Sequence, residues 1–481
     1  MVDLNEILKH PAFINVIEEG ISKIPEGLEE YEPFLVDADP AIIDWVVLSQ
    51  EENKEDFKIT LLEEGKVNYV GPVKGYKIVS LNEVRLRLQN GFTAYIFLDK
   101  LSSNKSIRQV LKDLRENILF VMELEYEIKK GRENKPKHKL EIEKDIRIII
   151  KDYFPVMGEK VAEEKLLELK DLMPKTWLFD LHILSIGINI YATDARYDLI
   201  KLYLPRVLGL YAVPVRKANK YNNILQFTYP GTGKTQFYLS YLNVFNMDFE
   251  SRFPTRARAV YNGATGEYGI VFVKDYIVID AFDKALKVKD LREDFFSYAE
   301  SGMSEGKWTA EVSSAKGKKE RNIERRRYVG FALLGNIDKD LLKVANIDVT
   351  IKYPDTLSFL EAFLESRDVE SNHRDALRDR LSIVDINTTQ ITLAKYILPK
   401  ILLAPYLIAM KDYTQNQINK TVVNADEATK DLDSRRYNYA VMIAKKLRAF
   451  GIEPAEELAR ALVAGRWDWY TKIDEFVIKP E

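Results

Sequence analysis

Between Thr228 and Gln236 the chain reads Thr-Tyr-Pro-Gly-Thr-Gly-Lys-Thr-Gln, residue types and spacing suited to holding an anion. Gly231 and Gly233 allow a turn so tight that backbone N–H groups converge on one point, as in a phosphate cradle. Lys234 is placed to neutralise the outer phosphates of a nucleotide, and Thr235 to offer a hydroxyl to Mg²⁺. Pro230, Thr232 and Gln236 complete the stretch that lines the phosphates. The fuller pattern begins with glycine where this chain has Thr228, so the match departs at one residue.

Two later strand ends offer the partners such a cradle needs. Tyr276-Ile-Val-Ile-Asp280 is an apolar run closed by a carboxylate, which can hold Mg²⁺ through water. Tyr328 to Asn336 is another, closed by an amide able to contact the terminal phosphate or the attacking water. Arg380, ending a charged helix, is the candidate cation offered to a nucleotide on a neighbouring subunit, with Arg374 and Arg378 close by. Arg435 and Arg436 open a later helix, capped by Ser434. Their unfavourable position against the helix dipole suggests a contact with nucleotide.

Positioning these groups calls for a parallel sheet with helices between its strands. Ile224, Leu225 and Phe227 read as a buried strand, and the helix from Gln236 to Asn243 directs its positive end at the phosphates. The stretch from Ala259 to Gly266 is expected to return the chain to the sheet, and Leu291 to Glu300 reads as helix. Trp308 to Arg327 alternates and is interrupted by Gly317 among cations, which predicts a β-hairpin with a basic tip. Lys316, Lys318, Lys319 and Arg321 would there contact DNA phosphates without reading sequence.

Upstream, residues 1–120 mix amphipathic helix with short strands at Lys58–Leu62, Val67–Val70, Tyr76–Leu81 and Ala94–Leu98. Asp37, Asp39 and Asp44 read as a solvated surface cluster. Residues 121–199 read as a helical connector with a basic loop at Lys129–Arg132 and Lys135–Lys139. Residues 387–481 read as helices alone: Thr389 to Lys411, then a polar loop from Gln415 to Asp431, then the helix after Asp433 and another from Ala455 to Gly465.

Of 481 residues, 30% are charged and 46% hydrophobic, with a net charge of −3, which fits a globular protein of several domains and excludes one that coats nucleic acid throughout. The absence of cysteine rules out disulfides, thiolate metal sites and cysteine nucleophiles. His10, His138, His182 and His373 are too scattered to build a zinc site. Nothing resembles a membrane span or signal peptide, so the expected location is cytoplasmic with no membrane partner. Abundant Lys, Glu, Ile and Tyr without Cys fits a thermophilic source.

Pro230-Gly-Thr-Gly-Lys-Thr235 is the form seen in AAA+ ATPases, and the order of parts resembles that family. The likeness is narrower to the MCM replicative helicases and the BrxL phage-defence ATPases. Ile279-Asp-Ala-Phe-Asp-Lys284 looks like the MCM Walker B run Ile-Asp-Glu-Phe-Asp-Lys, and Ala376-Leu-Arg-Asp-Arg-Leu381 like the arginine-finger box of both. The likeness spans about Ile200 to Ala464. It implies an AAA+ P-loop core of three layers over 200–386, with the hairpin inserted near 308–327 and 387–481 as a helical lid. The Lon-like C-terminal domain of BrxL proteins is not expected. The implied cofactors are ATP and Mg²⁺, and the implied partners are DNA and further copies of the chain in a hexameric ring. Asn336 takes the sensor 1 role and Arg436 that of sensor 2.

The family's catalytic Glu falls on Ala281, which can neither accept a proton nor align water. Either the natural chain binds ATP and hydrolyses it poorly, or Ala281 is an engineered substitution that traps ATP; the intact neighbours Asp280, Phe282, Asp283 and Lys284 favour the second. Asp283 as the working carboxylate ranks last. The expected function is a ring-forming, ATP-dependent DNA translocase or helicase. The alternatives are a protein-remodelling ATPase and a ring that clamps DNA without translocating.

Overall fold

A computed structural model describes residues 64–71, 73–88, 92–128, 146–192, 194–215, 218–242, 244–262, 267–312, 321–337, 353–396, 404–434 and 436–470, together with Leu61. The Asp37–Asp44 cluster, the basic loop at 129–139 and Arg435 lie outside the described residues.

The first strands are β1 (Lys66–Gly71), β2 (Val73–Ser80), β3 (Glu83–Leu88) and β4 (Thr93–Phe97), followed by helix α1 (Ile107–Glu116). Next come β5 (Asn117–Ile128) and β6 (Ile146–Gly158), and the six strands form one sheet in the order β1-β5-β6-β4-β3-β2. This corrects the helical reading of 121–199: its first part is strand, and helix begins only at α2 (Glu159–Lys170). The cause is period-two burial, since Met122 and Leu124 face the core while Glu123 and Glu125 face out. Val110 and Leu114 of α1 join the same core as Leu86, Ile96 and Ile148. Of the expected strand Lys58–Leu62 only Leu61 is described, and it is helical.

Helices α3 (Trp177–Ser185) and α4 (Arg196–Leu210) lead to a short hairpin, β7 (Val213–Val215) and β8 (Ala218–Lys220), and then to β9 (Ile224–Thr228) and α5 (Lys234–Tyr241). β10 (Met247–Glu250) precedes a second small hairpin, β11 (Tyr261–Asn262) with β12 (Glu267–Tyr268). The stretch after Ala259 therefore pairs with itself instead of rejoining the main sheet. β13 (Tyr276–Ile279), a one-turn helix Phe282–Ala285 and α6 (Lys289–Glu305) follow. The expected hairpin forms from β14 (Lys307–Val312) and β15 (Arg321–Arg326), antiparallel with Lys307 opposite Arg326. β16 (Gly330–Asn336), α7 (Thr356–Glu365), α8 (Ser371–Arg380) and β17 (Ile383–Asn387) complete this part.

Five of these strands make a parallel sheet in the order β10-β13-β16-β9-β17. Alternate residues of β9, β13, β16 and β17 feed two cores. Ile224, Val278, Ala332 and Ile383 pack with α3, α4 and α5 on one face. Leu225, Ile277, Leu333 and Val384 pack with α6 and α7 on the other. The result is a helix–sheet–helix sandwich, the arrangement a buried parallel sheet requires.

The remainder is helical: α9 (Ala404–Lys420), α10 (Ala425–Thr429), α11 (Tyr437–Ala449) and α12 (Ala455–Val463). The stretch from Gln415, expected as loop, continues α9 to Lys420, held by buried Ile418 and by Gln415 donating to Asn419 at 3.1 Å. Ser434 does not cap α11: its N-cap is Arg436, which makes no side-chain cap bond, and the Arg436 N–H donates to the Asp433 carboxylate at 3.1 Å. No helix among the described residues is long and apolar enough to cross a membrane.

Candidate nucleotide site

β9 is buried at every position, and its neighbours end level with it: Asn336 of β16 and Asn387 of β17 both sit opposite Thr228. β13 runs beside β16, with Ile279 opposite Leu333, so Asp280 leaves the sheet at the same edge. The glycine turn, the carboxylate and the amide therefore meet through strand register alone.

In the turn, Gly231 and Gly233 hold φ of 83° and 66°, left-handed values that favour glycine. At Gly233 a Cβ would also stand 2.8 Å from Leu393 Cδ1 and 2.9 Å from the Tyr203 hydroxyl. Thr228, the departure from the glycine pattern, is accounted for by its partner: its hydroxyl lies 2.7 Å from that of Thr232, which itself donates to the Tyr229 carbonyl at 2.9 Å. The side chain braces the loop from within.

Lys234 opens α5 and is 7% exposed. Its ammonium donates to Asn336 Oδ1 at 2.8 Å and to the carbonyls of Thr228 and Tyr229 at 3.4 and 3.5 Å. Burial pulls its pKa down to about 8, and the Arg206 charge adds to the fall, against the opposing pull of Asp280 and Asp283. The Thr235 hydroxyl donates to Asp280 Oδ2 at 3.1 Å, so the two expected Mg²⁺ contacts are neighbours. Gln236 is exposed on the same first turn.

After Asp280 the chain turns through Ala281, at φ 53°, and Asp280 Oδ1 accepts the Ala281 N–H at 3.0 Å. Asp283 is 4% exposed, and its Oδ1 accepts the backbone N–H of Asn336 at 3.2 Å. The left-handed turn at Ala281 thus brings Asp283 back against the third strand end.

Neither arginine joins this group. Arg380 donates from Nε to the Glu300 carbonyl at 2.5 Å and from Nη1 to the Ala376 carbonyl at 2.6 Å. Its own carbonyl accepts from Asn223, just before β9, which puts it at the opposite edge of the sheet. Five strand residues separate that edge from the glycine turn, about 17 Å at roughly 3.3 Å each. Arg436 is 7% exposed and donates to the carbonyls of Val463 at 2.7 Å and Arg378 at 3.0 Å, so it ties α11 to the end of α8 instead of reaching the loop in its own chain. Lys316, Lys318 and Lys319 lie outside the described residues, and Arg321 is described only as the first residue of β15.

Sequence reasoning passed over a polar group beneath the loop. Arg206 of α4, fully buried, donates from Nη1 to the Thr232 carbonyl at 3.0 Å and from Nε to Gln226 Oε1 at 2.7 Å. Gln226 in turn donates to Asp385 Oδ2 at 2.8 Å. The available signal was a Gln inside the apolar run Ile-Leu-Gln-Phe and an Arg inside Leu-Pro-Arg-Val-Leu, both too costly to bury without partners.

No family model matches the chain. It is similar to Uncharacterized protein 440 of Sulfolobus islandicus rod-shaped virus 1, with 24% identity over 456 residues, covering 90% of this chain and 92% of that protein. It is also similar to Uncharacterized protein ORF425 of Acidianus filamentous virus 2, with 29% identity over 196 residues, 40% of this chain and 42% of that protein.

Proposed function

We propose that the chain is a ring-forming, ATP-dependent DNA translocase or helicase of the AAA+ type, built on the α/β core described above. The observation that carries this reading is the meeting of Lys234 with Asn336 and of Thr235 with Asp280 at one edge of a parallel sheet. In that arrangement the loop N–H groups and Lys234 would hold the phosphates, Thr235 and Asp280 would hold Mg²⁺, and Asn336 would be offered to the terminal phosphate. Mg²⁺ would shield the phosphate charge and orient the terminal group for in-line attack. Arg380, at the far edge, serves a nucleotide only on another copy, which supports a ring. The hairpin β14–β15 supports DNA as the polymer gripped. Its described strands carry Arg325 and Arg326, both exposed.

Ala281 favours a second reading within the first: a ring that closes on DNA with ATP bound and turns over slowly. One set of measurements tests both. Particle size is followed with ATP and Mg²⁺, and hydrolysis is followed with and without DNA in the chain as it stands and in Ala281→Glu. Assembly with ATP, slow turnover, and DNA-stimulated hydrolysis in Ala281→Glu are expected. A monomer whose Ala281→Glu form hydrolyses ATP at one rate with or without DNA overturns the motor.

A further inference from the structure

Arg206 is an expensive residue to keep for stability alone. A buried cation is worth holding only if its donors and its charge are answered. Here Nη2 has no hydrogen-bond partner among the described residues, and the Asp385 carboxylate is hydrogen-bonded to Arg206 through Gln226 and not directly. Two of its contacts lead to the glycine turn. Nη1 holds the Thr232 carbonyl, and the guanidinium lies 4.7 Å from the ring centre of Tyr203, whose hydroxyl borders Gly233.

The Thr232 contact fixes a direction. In a trans peptide the C=O and the following N–H point opposite ways, so a Thr232 carbonyl drawn down to Arg206 turns the Gly233 N–H up toward the mouth of the loop. The N–H groups of Gly231, Thr232 and Gly233 donate to no backbone carbonyl among the described residues. Arg206 also stands close enough to Lys234 for the two cations to repel. An anion seated in the loop relieves that repulsion.

We propose that Arg206 is a positioning residue for the nucleotide phosphates, orienting the Thr232–Gly233 peptide and supplying a second positive charge under the loop. The proposal rests on the reading of the loop as a nucleotide site. The groups facing Lys234 are Arg206 from α4, Asp280 and Asp283 after β13, and Asn336 of β16. Those facing Arg206 are Tyr203, Tyr238, Gln226 and Asp385.

The test is a titration of the full chain with fluorescent analogues of ATP and of AMP in the presence of Mg²⁺, with melting curves to establish folding. Arg206→Gln should lose about tenfold or more in affinity for the triphosphate and leave affinity for the monophosphate within twofold, because only the outer phosphates meet the loop. Arg206→Lys keeps the charge and loses the fork, so its loss should be smaller but above twofold, and it carries the test if the first variant does not fold. Triphosphate affinity within twofold of the unaltered chain in either folded variant overturns the proposal, as does an equal loss for triphosphate and monophosphate. An unaltered chain that binds the triphosphate no better than Lys234→Ala instead overturns the nucleotide site itself.

Discussion

The Thr235 hydroxyl and the Asp280 carboxylate, 45 residues apart in sequence, stand 3.1 Å apart where α5 begins and β13 ends. A cation shared by the two must replace this hydrogen bond, so each residue has a separable effect on Mg²⁺. Thr235→Val and Asp280→Asn should each bind an ATP analogue as the unaltered chain does in EDTA, and lose most of the gain that Mg²⁺ brings. Affinities measured with Mg²⁺ and with EDTA check this. A gain of unaltered size in both variants places the metal elsewhere.

Asp283 holds the Asn336 backbone and favours the charged form of Lys234. Removing its charge therefore lowers the Lys234 pKa below about 8. Asp283→Asn should lose nucleotide affinity at lower pH than the unaltered chain, a displacement read from fluorescence titrations between about pH 6.5 and 9.5. A pH profile that does not move would mean that Asp283 acts on the strand end alone.

His182 is fully buried, with Nδ1 donating to the Leu178 carbonyl at 2.6 Å and Nε2 accepting from the Tyr211 hydroxyl at 2.6 Å. Burial lowers its pKa from 6.5 to about 4, so the unfolded chain binds the proton first and stability falls as pH drops from about 6.5 to 4. The full window is worth about 3 kcal/mol at roughly 1.4 kcal/mol per unit. Asp385, raised to about 6, works in the opposite direction: its stabilisation is present at low pH and fades as pH rises through 6. The curve for the whole protein mixes both, and the difference between it and His182→Gln isolates the histidine. Denaturant unfolding at pH 7, 5.5 and 4.5 should show the two converging as pH falls.

Gly302 lets the Trp308 ring lie against α6, since a Cβ there would stand 2.3 Å from ring atoms. Trp308 is fully buried at the base of the hairpin and donates from Nε1 to the Arg327 carbonyl at 2.8 Å. Gly302→Ala should displace the ring, cost about 1–3 kcal/mol of stability and alter tryptophan emission. An unchanged melting point would mean that the ring moves aside freely.

The glycine turn was legible because its chemistry is local: strand, two glycines, Lys and Thr are contiguous, and register then brings Asp280 and Asn336 to them. The packing of Arg436 was not, because its contacts with the Val463 and Arg378 carbonyls depend on how α11 meets α8 and α12. Arg380, expected to serve a nucleotide on another copy, lies away from the loop of its own chain because it precedes β17 while Asn387 ends it. The contact of Asp283 with the Asn336 backbone was hidden because its direction depends on one positive φ at Ala281, which an alanine does not advertise. β5 and β6 fall inside the expected helical region because their length hides the alternation of Met122, Leu124 and Tyr126 with glutamates. Arg206 escaped because burial belongs to the fold, and an isolated polar residue in an apolar run has no motif to announce it.

Arg380 has one more consequence. Its guanidinium is engaged with two carbonyls of its own chain, so it cannot be an idle cation awaiting a neighbour. Presenting it to another copy means breaking those contacts, and docking and release become one event. Under the proposed function, freshly diluted protein mixed with ATP would then show a lag before turnover, shortening as protein concentration rises. The same grip would keep a lone copy silent in a cell where ATP is never scarce.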